Sequence, residues 1–163
     1  MKILKATSQT ITRPADTTAY NSGDLVANNT TAGSVTPFSF KVPKAAGVKL
    51  HRVAVAKSAA SVTNAAFRVH LYSDSPTVAN GDNGAFSSTA SSYVGFFDIA
   101  APATAFSNTY YASGIYVNNS LTAPLFFVSD ADGYLYGLLE ARGAYTPANA
   151  ETFSVTLFGE AYF

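Results

Sequence analysis

The sequence lacks cysteine and has few charged residues, and both deficits exclude classes of protein. Without cysteine, disulfide bonds, thiolate metal sites and cysteine catalysis are impossible. Charged residues make up only 12% of the 163 residues, whereas hydrophobic residues make up 48% and aromatic residues 13%. A disordered chain would be poor in aromatic residues, and a coiled coil would be rich in Ala, Glu, Lys, Leu and Arg. The composition therefore indicates one globular domain with its own core.

Charge is distributed unevenly along the chain, although its sum is zero. Residues 1–73 hold nine Lys and Arg against two Asp, whereas residues 74–163 hold one Arg against eight Asp and Glu. This predicts either a dipolar subunit that attaches head-to-tail to a neighbour, or interleaved strands that cancel the dipole. The zero sum argues against nucleic acid or an acidic membrane as a partner. No apolar run has the length of a signal peptide or a membrane helix, so we expect a cytoplasmic site of synthesis.

Alternating side chains dominate the chain and predict short β-strands. Phe67, Val69 and Leu71 alternate with more polar residues, which is typical of a half-buried strand. Residues 48–57 change phase near His51, and this predicts a β-bulge there. Eight or nine such segments, separated by Gly, Asn and Pro turns, predict an all-β fold, an antiparallel β-sandwich or jelly roll. We expect less than about a tenth of the residues to be helical.

The first 35 residues differ in composition from the rest, being rich in Thr and Asn and interrupted by Pro14 and Gly23. Such a segment suits an extended arm that becomes ordered on a surface. The alternative is an ordinary edge strand followed by a long loop. We therefore divide the chain into an N-terminal arm or edge segment (residues 1–35) and a β-sandwich domain (residues 36–163), within one globular domain.

Candidate catalytic groups are few. His51 and His70 are the only histidines, and no G-x-S-x-G nucleophile motif accompanies them. His70 lies on the polar side of its strand, where a surface position is expected. Glu140, Glu151 and Glu160 are the only glutamates, and their spacing does not mark an acid/base pair. We predict that the protein is not an enzyme and that it uses no cofactor.

Two turn segments could offer oxygen ligands to a cation. These are residues 130–133 (DADG) and the Asp82–Asn83 pair within NGDNG. Neither has the spacing of a calcium loop, and both composition patterns are typical of β-turns. We predict no metal site.

The aromatic residues allow two interpretations. Exposed tyrosines and phenylalanines, such as the pair at residues 126–127, could stack on a glycan or a base. In a β-sandwich, alternating aromatic residues more often fill the core or an interface. Few cations stand beside them in the sequence, which argues against nucleic acid.

Three segments resemble small virion proteins of tailed bacteriophages that are encoded near the major capsid protein. They are residues 11–28 (ITRPADTTAYNSGDLVAN), 67–86 (FRVHLYSDSPTVANGDNGAF) and 136–157 (YGLLEARGAYTPANAETFSVTL). The resemblance implies a capsid decoration (cement) protein, a β-sandwich or jelly roll on the outer surface of the head shell. It further implies the major capsid protein as partner, a homotrimer as working state and a virion location after synthesis in the host cytoplasm. The alternative is a carbohydrate- or receptor-binding jelly-roll module of a tail or fibre, with residues 130–136 as its ligand region.

The N-terminal segment provides the predicted contact residues for the shell or a neighbouring subunit, namely Arg13, Pro14, Asp16 and Tyr20. A rigid proline, an aromatic side chain and a guanidinium are residue types that anchor interfaces. The prediction assumes that the segment is too polar to lie in the core. Alternatively, Arg13 and Pro14 end the first strand, and Asp16 to Tyr20 form a turn on the protein's own surface.

Overall fold

The computed structural model describes residues 1–59, 66–89, 91–100, 109–113, 116–117, 121–122, 124–129 and 131–163. In these ranges the chain forms two antiparallel β-sheets that pack face to face, and helix is confined to one 3-10 turn, Ala32–Ser34. The prediction of an all-β antiparallel sandwich is confirmed, while the jelly-roll variant stays a prediction. None of the described residues forms a helix long and apolar enough to cross a membrane.

The first sheet contains six strands. They are β1 (Lys2–Thr7), β2 (Ile11–Thr12), β5 (Gly47–Lys57), β8 (Thr109–Ser113), β11 (Leu125–Val128) and β13 (Thr152–Tyr162). Two long strands, β13 and β5, pair with each other at its centre. Strands β1 and β2 pair with the other side of β13, and β11 and β8 pair with the other side of β5.

The second sheet contains seven strands. They are β3 (Leu25–Val26), β4 (Phe38–Lys41), β6 (Phe67–Tyr72), β7 (Tyr93–Ile99), β9 (Tyr116–Val117), β10 (Leu121–Thr122) and β12 (Tyr134–Ala141). Their order is β10-β9-β7-β6-β12-β3, and β4 pairs with the first half of β12. Residues 1–35 therefore contribute to both sheets, with β1 and β2 at the edge of the first and β3 at the edge of the second.

The main core lies between the sheets and follows the alternation of the sequence. Strand β13 buries every second side chain, as its period-two pattern requires. The largest fully buried hydrophobic residues of this core are Tyr20, Phe38, Phe40, Leu50, Phe67, Leu71, Phe97, Tyr145 and Phe153. Full burial of one such side chain contributes about 1.5–3 kcal/mol, so this layer dominates the stability of the sandwich.

A β-bulge interrupts the central pair of strands at the position that the sequence predicts. Phe158 pairs with Arg52, but the next residue, Gly159, pairs with Leu50, so His51 is the extra residue. The two backbones approach each other closely at the bulge. A Cβ atom on Gly159 would lie 2.0 Å from the carbonyl oxygen of Lys49. Only glycine fits this position without movement of the backbone.

The outer face of the second sheet is covered by the chain itself. A smaller hydrophobic cluster lies there, with Leu25, Tyr72 and Leu138 buried and Val78 and Phe86 packed against them. This cover explains why β6 differs from the predicted half-buried strand. Five of its six residues are buried, because its outward side chains lie under the segment that precedes β7.

Oppositely charged residues from the two halves of the sequence meet across the sheets. Among the described residues, the ion pairs that join the halves are Arg13–Asp82, Lys57–Glu151 and Arg68–Asp98. The imidazoles of His51 and His70 also lie beside the carboxylates of Glu160 and Glu140. Strands of the two halves also alternate, since β13 lies between β1 and β5, and β12 lies between β4 and β6. The structure therefore supports interleaving of the halves as the explanation of the uneven charge.

Candidate functional site

The structure places two of the four predicted contact residues inside the protein. The Arg13 side chain is fully buried, and its Nε donates a hydrogen bond to Tyr20 Oη (2.8 Å). Arg13 Nη2 also lies 3.3 Å from Asp82 Oδ2. The hydroxyl of Tyr20 donates to Asp82 Oδ1 (2.6 Å), and the main-chain N–H of Ala27 donates to the same oxygen (2.8 Å). The network fixes the N-terminal segment to the turn that holds Asp82.

Burial governs the protonation equilibria of this network. It raises the pKa of Tyr20 above its ordinary value, and the neighbouring Asp82 carboxylate raises it further. It also raises the pKa of Asp82, against the lowering effect of the bond from the Ala27 N–H. Burial alone would lower the pKa of Arg13, but its hydrogen bonds to Tyr20 and Asp16 raise the pKa overall. Arg13 and Asp82 lie within ion-pair distance of each other, and the phenol of Tyr20 bridges them.

The other two predicted contact residues lie nearer the surface. Pro14 is half-buried, and the side chain of Asp16 is 41% exposed. Asp16 accepts hydrogen bonds from Arg13 Nη2 (3.1 Å) and from the main-chain N–H of Thr18 (2.8 Å), so it closes a local turn. The assumption that this segment is too polar for the core is wrong, because the buried cation finds a buried anion. Contact with a partner stays a prediction, and in this conformation only Pro14 and Asp16 could make it.

His70 is buried, and the expectation of a surface histidine is wrong. Its Nε2 lies 2.7 Å from Glu140 Oε2, its Nδ1 lies 3.2 Å from Tyr93 Oη, and its ring stacks on Phe86 with centroids 4.2 Å apart. Glu140 also accepts a hydrogen bond from Arg142 Nη1 (2.7 Å). Both ring nitrogens are therefore engaged, and Phe86 covers the imidazole.

The environment of His70 favours its neutral form. Burial lowers the pKa of His70, and the Glu140 carboxylate only partly opposes this effect. Burial alone would raise the pKa of Glu140, but the hydrogen bonds from His70 and Arg142 lower the pKa overall. A substrate would have to displace Phe86 to reach this imidazole, so the cluster ties β6, β7 and β12 together rather than forming an open site.

A third buried network lies near the start of β13. Lys57 Nζ lies 3.0 Å from Glu151 Oε1, with both side chains fully buried. The hydroxyl of Tyr145 donates a short hydrogen bond to Glu151 Oε2. A buried pair of this kind is costly to break, because removal of one partner leaves the other charge uncompensated.

The oxygen-rich turns do not assemble a cation site among the described residues. Asp82 is occupied by Arg13, Tyr20 and the Ala27 N–H, as given above. The segment at 130–133 includes Asp130, which lies outside the described residues. Within the ranges that the structure describes, no group of three or more His, Asp or Glu side chains is placed to hold a metal ion.

The outer face of the first sheet is the most distinctive exposed surface. We call it the cationic face and define it by the outward residues Ile3, Lys5, Lys49, Arg52, Phe126, Val128, Phe158, Glu160 and Tyr162. Large apolar side chains are exposed to solvent there, since Ile3 is 92%, Phe126 66% and Val128 72% exposed. Phe126 and Val128 are neighbours on the outward side of β11, whereas Ile3 lies on the edge strand at the other side of the sheet. Adjacent exposed apolar side chains such as Phe126 and Val128 are candidates for a binding contact.

The register of the strands sets the pattern of this face. Ile3, Glu160, Lys49 and Phe126 lie opposite one another on four adjacent strands, in a row about 14 Å long at the usual strand spacing. In the next row Gly47 lies between Tyr162 and Val128. Because Gly47 has no side chain, the face has a shallow trough between two large side chains.

The cations of this face lie against its aromatic rings. Lys49 Nζ is 5.5 Å from the ring centroid of Phe126, and Arg52 Cζ is 4.1 Å from that of Phe158. Lys5 Nζ approaches the same Phe158 ring at 6.0 Å. Cation–π contacts of this kind hold the long side chains along the surface of the sheet.

Among the described residues of the cationic face, the carboxylate of Glu160 accompanies the three cations. Glu160 accepts a hydrogen bond from the hydroxyl of Tyr162 (2.5 Å) and lies 3.6 Å from His51 Nε2 on the bulge. The bond from Tyr162 is the main cause that lowers the pKa of Glu160, so the group stays ionised. The described residues of the cationic face therefore include more cations than carboxylates.

Sequence reasoning did not identify this surface. The outward residues of β13 were visible as the polar side of an alternating strand, and the pair at 126–127 was visible as a possible stacking surface. The structure separates that pair, with Phe126 facing out and Phe127 packing against the core. The sequence did contain one signal of this surface, namely two aromatic residues, Phe158 and Tyr162, on the side of β13 that should face water.

No protein-family model matches the chain, and no curated protein matches it.

Proposed function

We propose that this chain is a non-enzymatic structural protein of a tailed-phage virion, which binds the outer surface of the capsid shell and stabilises it. The observation that carries the proposal is the cationic face, the outer surface of the first sheet, with exposed Ile3, Phe126 and Val128. The resemblance of residues 11–28, 67–86 and 136–157 to small phage virion proteins supplies the biological setting. The partner is the major capsid protein, and the location is the capsid surface.

A sheet face suits attachment to a repeating shell. The hydrogen bonds of β1, β13, β5 and β11 hold its side chains in fixed positions, and it combines apolar side chains with charge. Each contact can be weak, because many copies bound to one lattice gain affinity through their multiple attachments. The working state in this proposal is a homotrimer, as the resemblance implies, and multi-angle light scattering on the purified protein and on material released from virions tests it.

The test of the proposal uses empty shells assembled from the major capsid protein of the genome that encodes this chain. We expect the wild-type protein to co-sediment with shells and Phe126→Ser to bind about tenfold more weakly, as loss of a well-placed interface aromatic does. Tyr134→Ser is the matched control, because Tyr134 is an exposed aromatic residue on the second sheet. Failure of the wild-type protein to bind shells would contradict the proposal, as would equal loss of binding in both variants.

The alternative, a glycan- or receptor-binding module of a tail or fibre, has one supporting observation. Tyr134 is partly exposed and lies beside Tyr136, with ring centroids 6.2 Å apart. However, Lys41 Nζ lies 3.8 Å from the Tyr134 ring centroid and occupies one face of the ring that a sugar would need. Copy number discriminates the two functions, since a number comparable with that of the capsid protein supports decoration and a much smaller one supports a tail or fibre part.

A further inference from the structure

We infer that the cationic face packs against the same face of a second copy of this chain, about a twofold axis that runs along the strands between β13 and β5. The inference goes beyond the proposed function, because it concerns the protein before it meets a shell. It follows from the order in which unlike side chains lie across the strands β1, β13, β5 and β11.

A twofold axis in this position lays each cross-strand row over the same row of the second copy in reverse order. The two central strands exchange places, so β13 of each copy faces β5 of the other. The outer strands also exchange places, so β1 faces β11. A sheet face suits this arrangement when the side chains on strands that exchange places fit each other, and three adjacent rows of the cationic face do so.

One row brings opposite charges together and apolar side chains together. Its order across the four strands is Ile3, Glu160, Lys49, Phe126. In reverse order, Glu160 of each copy faces Lys49 of the other, which gives two ion pairs beside the axis. Glu160 already accepts a hydrogen bond from Tyr162, and a carboxylate can accept several more. Ile3 of each copy faces Phe126 of the other, so the contact covers apolar side chains that the single chain exposes.

The next row brings a large side chain over a small one. Tyr162 and Gly47 lie opposite each other on the central strands, and Val128 follows on β11. In reverse order, the exposed ring of Tyr162 in each copy faces the trough over Gly47 of the other. Complementary shapes of this kind let two sheet faces approach closely.

The row on the other side brings aromatic rings against cations. Phe158 and Arg52 lie opposite each other, with 4.1 Å between the ring centroid and Arg52 Cζ. In reverse order, Phe158 of each copy faces Arg52 of the other, while the contact within each chain stays in place. Lys5, at the end of this row, takes the place opposite Ser113 of β8 and not opposite another cation.

The size of the face indicates a weak and reversible dimer. Its four strands span about 14 Å, and the outward residues from Thr156 to Tyr162 span about 20 Å along β13. A contact of this size lies at or below the low end of specific interfaces, so we expect a dissociation constant in the micromolar range. Packed sheets keep their strands within about 30° of each other, so the fit is closest beside the axis, between Glu160 and Lys49.

The dimer and attachment to a shell exclude each other, because one face cannot contact two surfaces at once. A weak dimer covers the exposed apolar side chains of the free protein, and its dissociation makes them accessible to a shell. The contact joins two chains whether or not each of them also belongs to a trimer that uses other residues.

Exchange of charge between Lys49 and Glu160 tests the inference. The single variants are Lys49→Glu and Glu160→Lys, and the double variant carries both substitutions. Lys41→Glu is the matched control, because it makes the same charge change at an exposed residue of the second sheet. Self-association is measured by sedimentation of the purified protein without shells, at concentrations below and well above the expected dissociation constant. Mixed association is measured by native mass spectrometry with one isotope-labelled partner.

We expect each single variant to associate with itself about tenfold or more weakly than the wild type, because like charges then face each other at both sites beside the axis. A mixture of the two single variants should associate, since a carboxylate of one chain then faces an ammonium group of the other at both sites. The Lys41→Glu control should associate like the wild type. Single variants that associate as tightly as this control would overturn the inference.

The double variant decides the question even if a single variant does not fold, because it keeps opposite charges on neighbouring strands within the chain. It should associate with itself but not with the wild type, since a mixed dimer would bring two carboxylates together at one site and two ammonium groups together at the other. Equal association of the double variant with itself and with the wild type would overturn the inference. The same holds if the wild type shows no association that depends on concentration. Because no shell is present, these results leave the proposed function to its own test.

Discussion

Replacement of Arg13 by alanine tests whether this residue belongs to the core or to an interface. Its guanidinium is fully buried and bonds to Tyr20 Oη, to the carbonyl oxygen of Asp16 (2.5 Å) and to Asp82. In Arg13→Ala the Asp82 carboxylate, itself 1% exposed, keeps only the Tyr20 hydroxyl and one main-chain N–H. Removal of one partner from a buried pair costs about 3–5 kcal/mol, and we expect a loss of stability in this range.

Urea unfolding followed by fluorescence of the tyrosines measures this loss. With a slope of about 2 kcal/mol/M, the midpoint should fall by about 1.5–2.5 M urea. Asp16→Ala is the control, because its side chain is exposed and solvent screens its pair with Arg13, so we expect little change in stability. The double variant Arg13→Ala with Asp82→Asn should lose less than the sum of its single variants, since it leaves no uncompensated charge. If Arg13→Ala is no less stable than Asp16→Ala, the burial of Arg13 is wrong and its role as an interface anchor regains support.

Two further predictions concern the bulge and the buried histidine. Gly159→Ala should destabilise the fold by about 3 kcal/mol, because the new Cβ meets the Lys49 carbonyl. In the control, Gly47→Ala, the new Cβ has no neighbour closer than 3.8 Å, so stability should change by less than about 1 kcal/mol. Equal effects of the two substitutions in thermal denaturation would refute the close approach of the backbones at Gly159. Burial lowers the pKa of His70, so the unfolded chain binds a proton more readily and stability should fall as the pH drops below about 6.5. Urea midpoints measured across this window should lose that dependence in His70→Gln and keep it in His51→Gln, and an unchanged profile in His70→Gln would refute the assignment.

The fold could be predicted from the sequence where its cause is local. Phe67, Val69 and Leu71 alternate because one side of their strand faces the core, and the structure buries all three. The bulge at His51 was visible as a change of phase between Leu50 and Val53, because an extra residue shifts every later side chain to the other face. Both features can be inferred from residues that lie close together in the sequence.

The buried networks could not be predicted in this way. Arg13 and Asp82 are 69 residues apart, and nothing in the local pattern of either residue names the other. His70 and Glu140 are 70 residues apart, and they meet because β6 pairs with β12. A sequence shows which side of a strand is polar, but it does not show that a distant segment covers that side.

The cationic face was hidden for the same physical reason. Its residues come from four strands that are far apart in the sequence, and only the order β1-β13-β5-β11 brings them into one surface. Along the chain, Lys5, Lys49 and Phe158 each look like an ordinary outward residue. Lys5, Lys49 and Arg52 all come from the Lys- and Arg-rich residues 1–73, but this asymmetry does not show that they meet on one face.

A cryo-electron microscopy reconstruction of shells decorated with this protein tests the central claim most directly. The account predicts density for the protein on the outside of the shell, with β1, β13, β5 and β11 against the capsid protein and Phe126 within the contact. Decorated shells in which this face points to solvent, or virions that carry the protein only on the tail, would contradict the account.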